Sequence, residues 1–301
     1  MSEKYHSGFI SLVGRPNVGK STLLNALVGQ QISITANKPQ TTRNQIRGIV
    51  TEENYQAILL DTPGIHLPQN ELHNRIVGYA LKSLKENDLV FHIIEPLAHP
   101  NKGIEEYDTK IIDLLPTSAE KSFLIVNKTD LYKEENVFET TRIFSEAFPY
   151  CAILPTDALH RRGIDKLKGI FPKYLPEGIP HFPTEQITDT PERAIVGELV
   201  REQIMRKCFQ EIPYGVAVEI EKFKESESKV EIHATIHVER EAHKKIIIGK
   251  GGSMLKMIGT AARIKMEQLL GTKVRLDTHV KISKNWFNNP NKLSEFGYGP
   301  S

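Results

Sequence analysis

Gly14-Arg-Pro-Asn-Val-Gly19-Lys20-Ser21 is the stretch that decides the fold. It has the spacing G-x-x-x-x-G-K-[ST] and lies between a short apolar run, Phe9–Val13, and a segment of helical period, Gly19–Gly29. A strand, a glycine turn and a helix in that order make a phosphate cradle. The turn through Arg15, Pro16, Asn17 and Val18 curls because Gly14 and Gly19 carry no side chain, so backbone N–H groups face a phosphate chain. The helix that follows, with Thr22 in its first turn, adds its positive end. Lys20 supplies charge to the outer phosphates, and the Ser21 hydroxyl is placed to ligate Mg²⁺.

Outward from this loop, buried runs alternate with helical segments over about 175 residues, the pattern of a parallel sheet with crossover helices. Strands are expected at 45–51, 55–60, 89–94, 123–126 and 152–154, and helices at 72–85, 102–115, 134–147 and 163–174. Prolines 172, 176, 180, 183 and 191 then argue against regular structure, so 176–194 reads as a linker. Past it the expected order is a helix (195–209), two strands (216–223, 229–238), helices at 241–248 and 254–269, and a strand (273–282). The expected fold is therefore α/β, a P-loop GTPase domain with a mostly parallel sheet and flanking helices (1–175). A smaller α+β type II KH domain (195–285) and a tail (286–301) follow.

Two further motifs fall at strand ends. Asp61-Thr62-Pro63-Gly64 follows the strand 55–60, so Asp61 is placed to hold Mg²⁺ through water and Gly64 to offer its N–H to a γ-phosphate. Asn127-Lys128-Thr129-Asp130 ends the strand 123–126. An Asp there accepts both N1–H and N2–H₂ of guanine, which adenine does not present, so GTP and GDP are expected and ATP is not. The polar segment Gln30–Asn44 is the expected first switch, with Thr42 assigned to Mg²⁺ and the γ-phosphate and Thr41 as its rival; Ile65–Asn74 is the second. Lys20, Thr42, Gly64 and Asn17 are the expected catalytic set. Ile65 stands where a water-orienting glutamine is found in Ras-like GTPases, so intrinsic turnover is expected to be slow. The Asn17 amide either helps bind a monovalent cation, K⁺, beside the phosphates or satisfies the loop backbone. In the guanine loop, Thr156-Asp157-Ala158 replaces the usual Ser-Ala, with the Ala158 N–H expected to reach guanine O6.

The net charge of +2 conceals a gradient: residues 195–301 hold 18 Lys and Arg against 13 Asp and Glu, and Arg240–Lys284 holds 11 against 3. A concentrated basic region is the footprint of nucleic-acid contact. Within it Gly249-Lys250-Gly251-Gly252 lies between two helices, the G-x-x-G loop of a KH domain, which clamps about four nucleotides of single-stranded RNA. Lys244, Lys245, Ile248, Lys256 and Lys281 flank that clamp. Trp286 either packs the tail or stacks on a base. Two cysteines with no metal spacing fit a reducing compartment. No stretch has the run of about 20 apolar residues that a span requires. A cytoplasmic location is expected from the cysteine usage, and a monomer is expected.

The chain resembles the Era family of bacterial ribosome-assembly GTPases along nearly its whole length: GRPNVGKS, QTTRN, DTPGI, NKTD, IPYGVAVEIEKF, VERE, KKIIIGKGG and VKISKNW. A single GTPase domain followed by a helix-first KH domain is more specific than any one motif. The resemblance implies binding near the 3′ end of small-subunit ribosomal RNA, maturation of the small ribosomal subunit, and peripheral contact with the inner membrane. Asp157 departs from the family pattern. An alternative from another class is a membrane-surface regulatory GTPase whose basic face meets anionic lipid, with incidental RNA binding.

Overall fold

Seven stretches of chain, residues 4–36, 38, 41–61, 87–116, 121–209, 212–296 and 298, are described by the computed structural model. The expected helix 72–85, the segment Ile65–Asn74, Thr62, Pro63 and Gly64 lie outside the described residues. The chain divides into two compact units, with 4–33, 42–61 and 87–189 in the first and 34–41 and 190–298 in the second.

In the first unit, fully buried apolar runs such as Leu89–Ile94 can satisfy their backbone only inside a sheet covered on both faces. Six strands do this: β1 (His6–Val13), β2 (Ile46–Glu52), β3 (Tyr55–Asp61), β4 (Leu89–Ile94), β5 (Ser122–Val126) and β6 (Ala152–Pro155). Their order is β2-β3-β1-β4-β5-β6, parallel throughout except for the β2–β3 hairpin. The helices among the described residues are α1 (Lys20–Val28), α2 (Glu106–Ile112), α3 (Glu134–Ala147), α4 (Ile164–Lys168) and α5 (Phe171–Tyr174). Because β1, β3, β5 and β6 are parallel, the loops beginning at Gly14, Asp61, Asn127 and Thr156 leave one edge of the sheet together. Ligands of open α/β sheets bind at that carboxyl edge.

Three expectations change. The helix expected at 102–115 begins at Glu106, because Gly103 (φ 74°) separates it from a 3₁₀ turn at Pro100–Lys102. The helix expected at 163–174 is two short pieces, since the Pro172 ring opposes a continuous helix through Lys168. Most of the expected linker is bound to the first unit. Gln56 Oε1 accepts the N–H groups of His181 and Phe182 at 2.7 and 2.9 Å, Ile49 donates to the Ile187 carbonyl at 2.8 Å, and Arg47 pairs with Asp189 at 2.5 Å. Proline rules out helix here but leaves an extended strap that fastens to the sheet edge.

The second unit holds α6 (Glu192–Lys207), β7 (Ala217–Glu225), β8 (Lys229–Val238), α7 (Glu241–Ile248), α8 (Ser253–Leu270), β9 (Lys273–Ile282) and α9 (Pro290–Glu295). β7 and β8 are antiparallel and β8 and β9 parallel, giving the expected α-β-β-α-α-β order. Val196, Leu199, Val200 and Ile204 of α6 and Ile258, Ala262 and Met266 of α8 cover one sheet face. Ile34 belongs to this same core. Thr35 donates to Glu202 through both its N–H and its hydroxyl at 3.3 Å, and the buried Arg201 guanidinium donates to the Thr41 carbonyl. Among the described residues no helix is long and apolar enough to cross a membrane.

Candidate functional site

The nucleotide corner is assembled from buried polar groups at the carboxyl edge of the first sheet. Gly19 takes φ 100°, and a Cβ there would meet Asn127 Nδ2 at 2.3 Å, so two motifs 108 residues apart in sequence close on one another only through glycine. A Cβ on Gly14 would meet the Ile93 carbonyl at 2.2 Å. Lys20 is buried, and its ammonium donates to the carbonyls of Gly14 and Arg15 at 3.0 and 2.9 Å, which spans the loop it must serve. Burial pulls its pKa down to about 8, against the opposing pull of Asp61 and Asp108.

Three oxygens converge beside it. Ser21 Oγ donates to Asp61 Oδ2 at 2.6 Å and lies 2.8 Å from Thr42 Oγ1, which itself is 3.5 Å from the same carboxylate oxygen. Thr41, the rival for that role, instead donates to the Lys38 carbonyl at 2.6 Å. Asp61 is fully buried, and burial raises its pKa against the donations of Ser21, Ser33 and Thr42 and the charge of Lys20. Its other oxygen, Oδ1, has no hydrogen-bond partner among the described residues. A buried carboxylate with one open oxygen, flanked by two hydroxyls, is a hard oxygen donor set that fits Mg²⁺.

The two loops expected to read guanine are braced by Asn127. Its Nδ2 donates to the Val18 carbonyl at 2.9 Å, while Oδ1 accepts from Thr156 Oγ1 and the Ala158 N–H, both at 3.1 Å. The Ala158 N–H expected for guanine O6 is thus directed at Asn127. Lys128 (φ 59°) turns its ammonium to Glu95 at 2.5 Å, and Thr129 Oγ1 donates to the Thr156 carbonyl at 3.1 Å. Asn17 (φ 69°) is exposed and its side chain bonds to no described residue, so the loop backbone does not engage it.

In the second unit the loop after α7 has three glycines at positive φ: Gly249 (72°), Gly251 (58°) and Gly252 (80°). Nothing lies within 4 Å of a Cβ built on Gly251 or Gly252, whereas one on Gly249 would meet Met254 at 2.8 Å. Gly249 therefore closes the turn, and the other two bare the backbone. Of the residues expected to flank it, Lys245, Lys250, Lys256 and Lys281 are exposed, and Lys244 and Ile248 are half-buried. Of the neighbouring isoleucines, Ile247 is core and Ile246 is exposed.

Residues 9–128 match the family of 50S ribosome-binding GTPases, and residues 211–287 match the KH domain. GTPase Era of Geotalea uraniireducens (strain Rf4) is 44% identical over 300 residues, 99% of this chain and 100% of the relative. GTPase Era of Thermoanaerobacter sp. (strain X514) is 45% identical, covering 98% and 97%. The chain belongs to the Era family of GTPases. As an Era-family GTPase it binds GTP and GDP through its GTPase domain and hydrolyses GTP. A variant of Aquifex aeolicus Era solved with GDP and AlF₄⁻ superposes at a TM-score of 0.91, with 36% identity over 98% of this chain and all of that one. The same TM-score, identity and coverage hold for an Era solved with MgGDPNP and nucleotides 1506–1542 of 16S ribosomal RNA.

Within this Era-family chain one expected site residue is corrected. Trp286 is fully buried: its indole N–H donates to the Gly215 carbonyl at 3.2 Å, and its ring lies 5.6 to 6.0 Å from those of Phe296, Tyr298 and Phe287. An indole so enclosed has no face for a base; it fastens the tail. Ser33, which donates to Asp61 at 2.9 Å, was not singled out from the sequence, and neither was Asp108, buried 2.9 Å from the Arg15 guanidinium. No local spacing marks them, because each meets the loop only after the sheet has formed.

Proposed function

We propose that this chain is a GTP-timed RNA-binding switch. Its KH unit holds single-stranded RNA near the 3′ end of small-subunit ribosomal RNA, and it acts in assembly and maturation of the small ribosomal subunit. The observation that carries this reading is the Gly251-Gly252 backbone at positive φ, with nothing within 4 Å of where a Cβ would stand and exposed lysines at 245, 250 and 256 in sequence, in a unit of KH order. The Era complex with 16S ribosomal RNA nucleotides supports the choice of RNA.

The chemistry assigned to the corner uses residues in named roles. The loop N–H groups and Lys20 hold the phosphates, and Asp130 accepts from the Watson–Crick edge of guanine. Ser21, Thr42 and Asp61 would hold Mg²⁺, which would supply positive charge against the negative charge that develops on the phosphates. The Gly64 N–H and Thr42 are assigned to the γ-phosphate, and Ile65, unable to orient water, leaves intrinsic turnover slow. Asn17, exposed and unengaged by the loop, is available to a K⁺ ion beside the phosphates.

Coupling between nucleotide and RNA is assigned to the segment before Thr42. Thr42 meets Ser21 and Asp61, whereas the preceding residue, Thr41, belongs to the second unit and is held there by Arg201. One peptide bond thus joins a γ-phosphate-sensing hydroxyl to the KH unit's own helix α6. Ordering of Thr42 by GTP pulls on that anchor, and hydrolysis releases it.

The test is binding of a fluorescent single-stranded RNA carrying the 3′ end of small-subunit ribosomal RNA, with Mg²⁺ and either GTP analogue or GDP. Binding that survives Gly251→Asp unchanged would defeat the reading.

A further inference from the structure

The departure at Asp157 has a structural counterpart three residues on, at His160. Asp157 is 1% exposed, and its Oδ1 accepts the His160 N–H at 3.1 Å while its Oδ2 lies 2.8 Å from His160 Nδ1. The same Nδ1 is 3.8 Å from Asp130 Oδ2. Carboxylates from two separate loops, one after β5 and one after β6, therefore converge on one imidazole nitrogen, their ligating atoms within 4.8 Å of one another. Two carboxylates that close repel one another, and the repulsion favours displacing one of them. Asp130 is the one that has to stay aimed at guanine.

The other charges facing this cluster do not settle the conflict. Arg162 pairs with Asp157 through its backbone in both directions, but its guanidinium is 4.0 Å from Asp157 Oδ2 and 77% exposed. Lys128, next to the site in sequence, is committed to Glu95. His160 alone among the described residues faces both carboxylates through one nitrogen.

We propose that His160 is a positioning residue for guanine recognition. Its Nδ1–H donates to Asp157 Oδ2, which holds that carboxylate to its own loop and leaves Asp130 turned toward the base. The inference rests on the reading of Asp130 as the guanine acceptor.

The experiment measures dissociation constants of a fluorescent GDP with the full chain and Mg²⁺, for wild type, His160→Ala, Asp157→Ser and the double variant. Thermal melts verify that each is folded. His160→Ala binds about tenfold more weakly than wild type. In the Asp157→Ser background the same change costs little, because the second carboxylate is gone. Unchanged affinity in His160→Ala, or an equal loss in both backgrounds, overturns the proposal. Asp130→Asn separates it from its foundation. A switch of preference from GDP toward xanthosine diphosphate in that variant supports Asp130 as the acceptor whatever His160 does. No such switch removes the foundation and the proposal with it.

Discussion

The two glycine loops of this chain are built on opposite terms. At Gly14 and Gly19 the missing side chains are filled by the protein itself, with the Ile93 carbonyl and Asn127 amide where a Cβ would stand. At Gly251 and Gly252 nothing fills them. The groups around each loop follow suit: Lys20, Asp61 and Asn127 are buried, whereas Lys245, Lys250 and Lys256 are exposed. A site for a small, densely charged ligand can be pre-assembled inside the fold, where low dielectric strengthens every contact. A site for a long polyanion has to present itself to solvent and gains from counterion release instead.

This contrast can be broken at either loop. Trp286 tests its boundary, because an aromatic near an RNA surface would be exposed, yet this one is enclosed. Trp286→Ala should destabilise the second unit by about 3–5 kcal/mol, the usual cost of emptying a large aromatic site, seen as a lowered melting transition. Loss of RNA affinity in a variant that melts like wild type would instead reveal a base contact. Gly19→Ala should weaken GDP binding by on the order of 100-fold, since the new methyl drives into Asn127 from a left-handed φ; isothermal titration measures it. Gly251→Asp has room for its side chain and should spare GTP turnover, but its charge and left-handed φ should weaken RNA binding by roughly tenfold or more.

A smaller effect sharpens the electrostatic half of the comparison. The free-protein pKa of Lys20 is lowered to about 8, and phosphate binding requires its charged form. The Lys20 contribution to GDP affinity should therefore hold below pH 8 and fall as pH rises from 8 to 9, by up to about tenfold per unit. RNA affinity, which depends on exposed lysines, should stay flat over the same range. The smallest expected effect is a few-fold gain in turnover when K⁺ replaces Na⁺ at constant ionic strength; no change would remove Asn17 from the cation role.

Much of this was legible in the sequence, for a physical reason. Glycine turns, strand ends and N-K-x-D are local, and the α-β-β-α-α-β unit announces itself by the period of its buried residues; β8 and α7 fall where that period puts them. Contacts between distant segments were not legible. Ser33 reaches Asp61, Asp108 reaches Arg15, and His160 reaches Asp130 only because parallel strands bring their loops to one edge. The strap 176–189 misled for a related reason: proline density forbids regular structure, but does not forbid an extended chain from hydrogen-bonding to Gln56 and Ile49.

The central claim is that nucleotide state sets RNA affinity through Thr42 and the segment that Arg201 holds. It is tested most directly by the dissociation constant of a single-stranded RNA bearing the small-subunit 3′ end, measured with GTP analogue and with GDP at fixed Mg²⁺. The account predicts binding at least about tenfold tighter with the GTP analogue, a coupling near 1.4 kcal/mol, and loss of that difference in Arg201→Ala. Equal affinities in the two nucleotide states of the wild-type chain would contradict it.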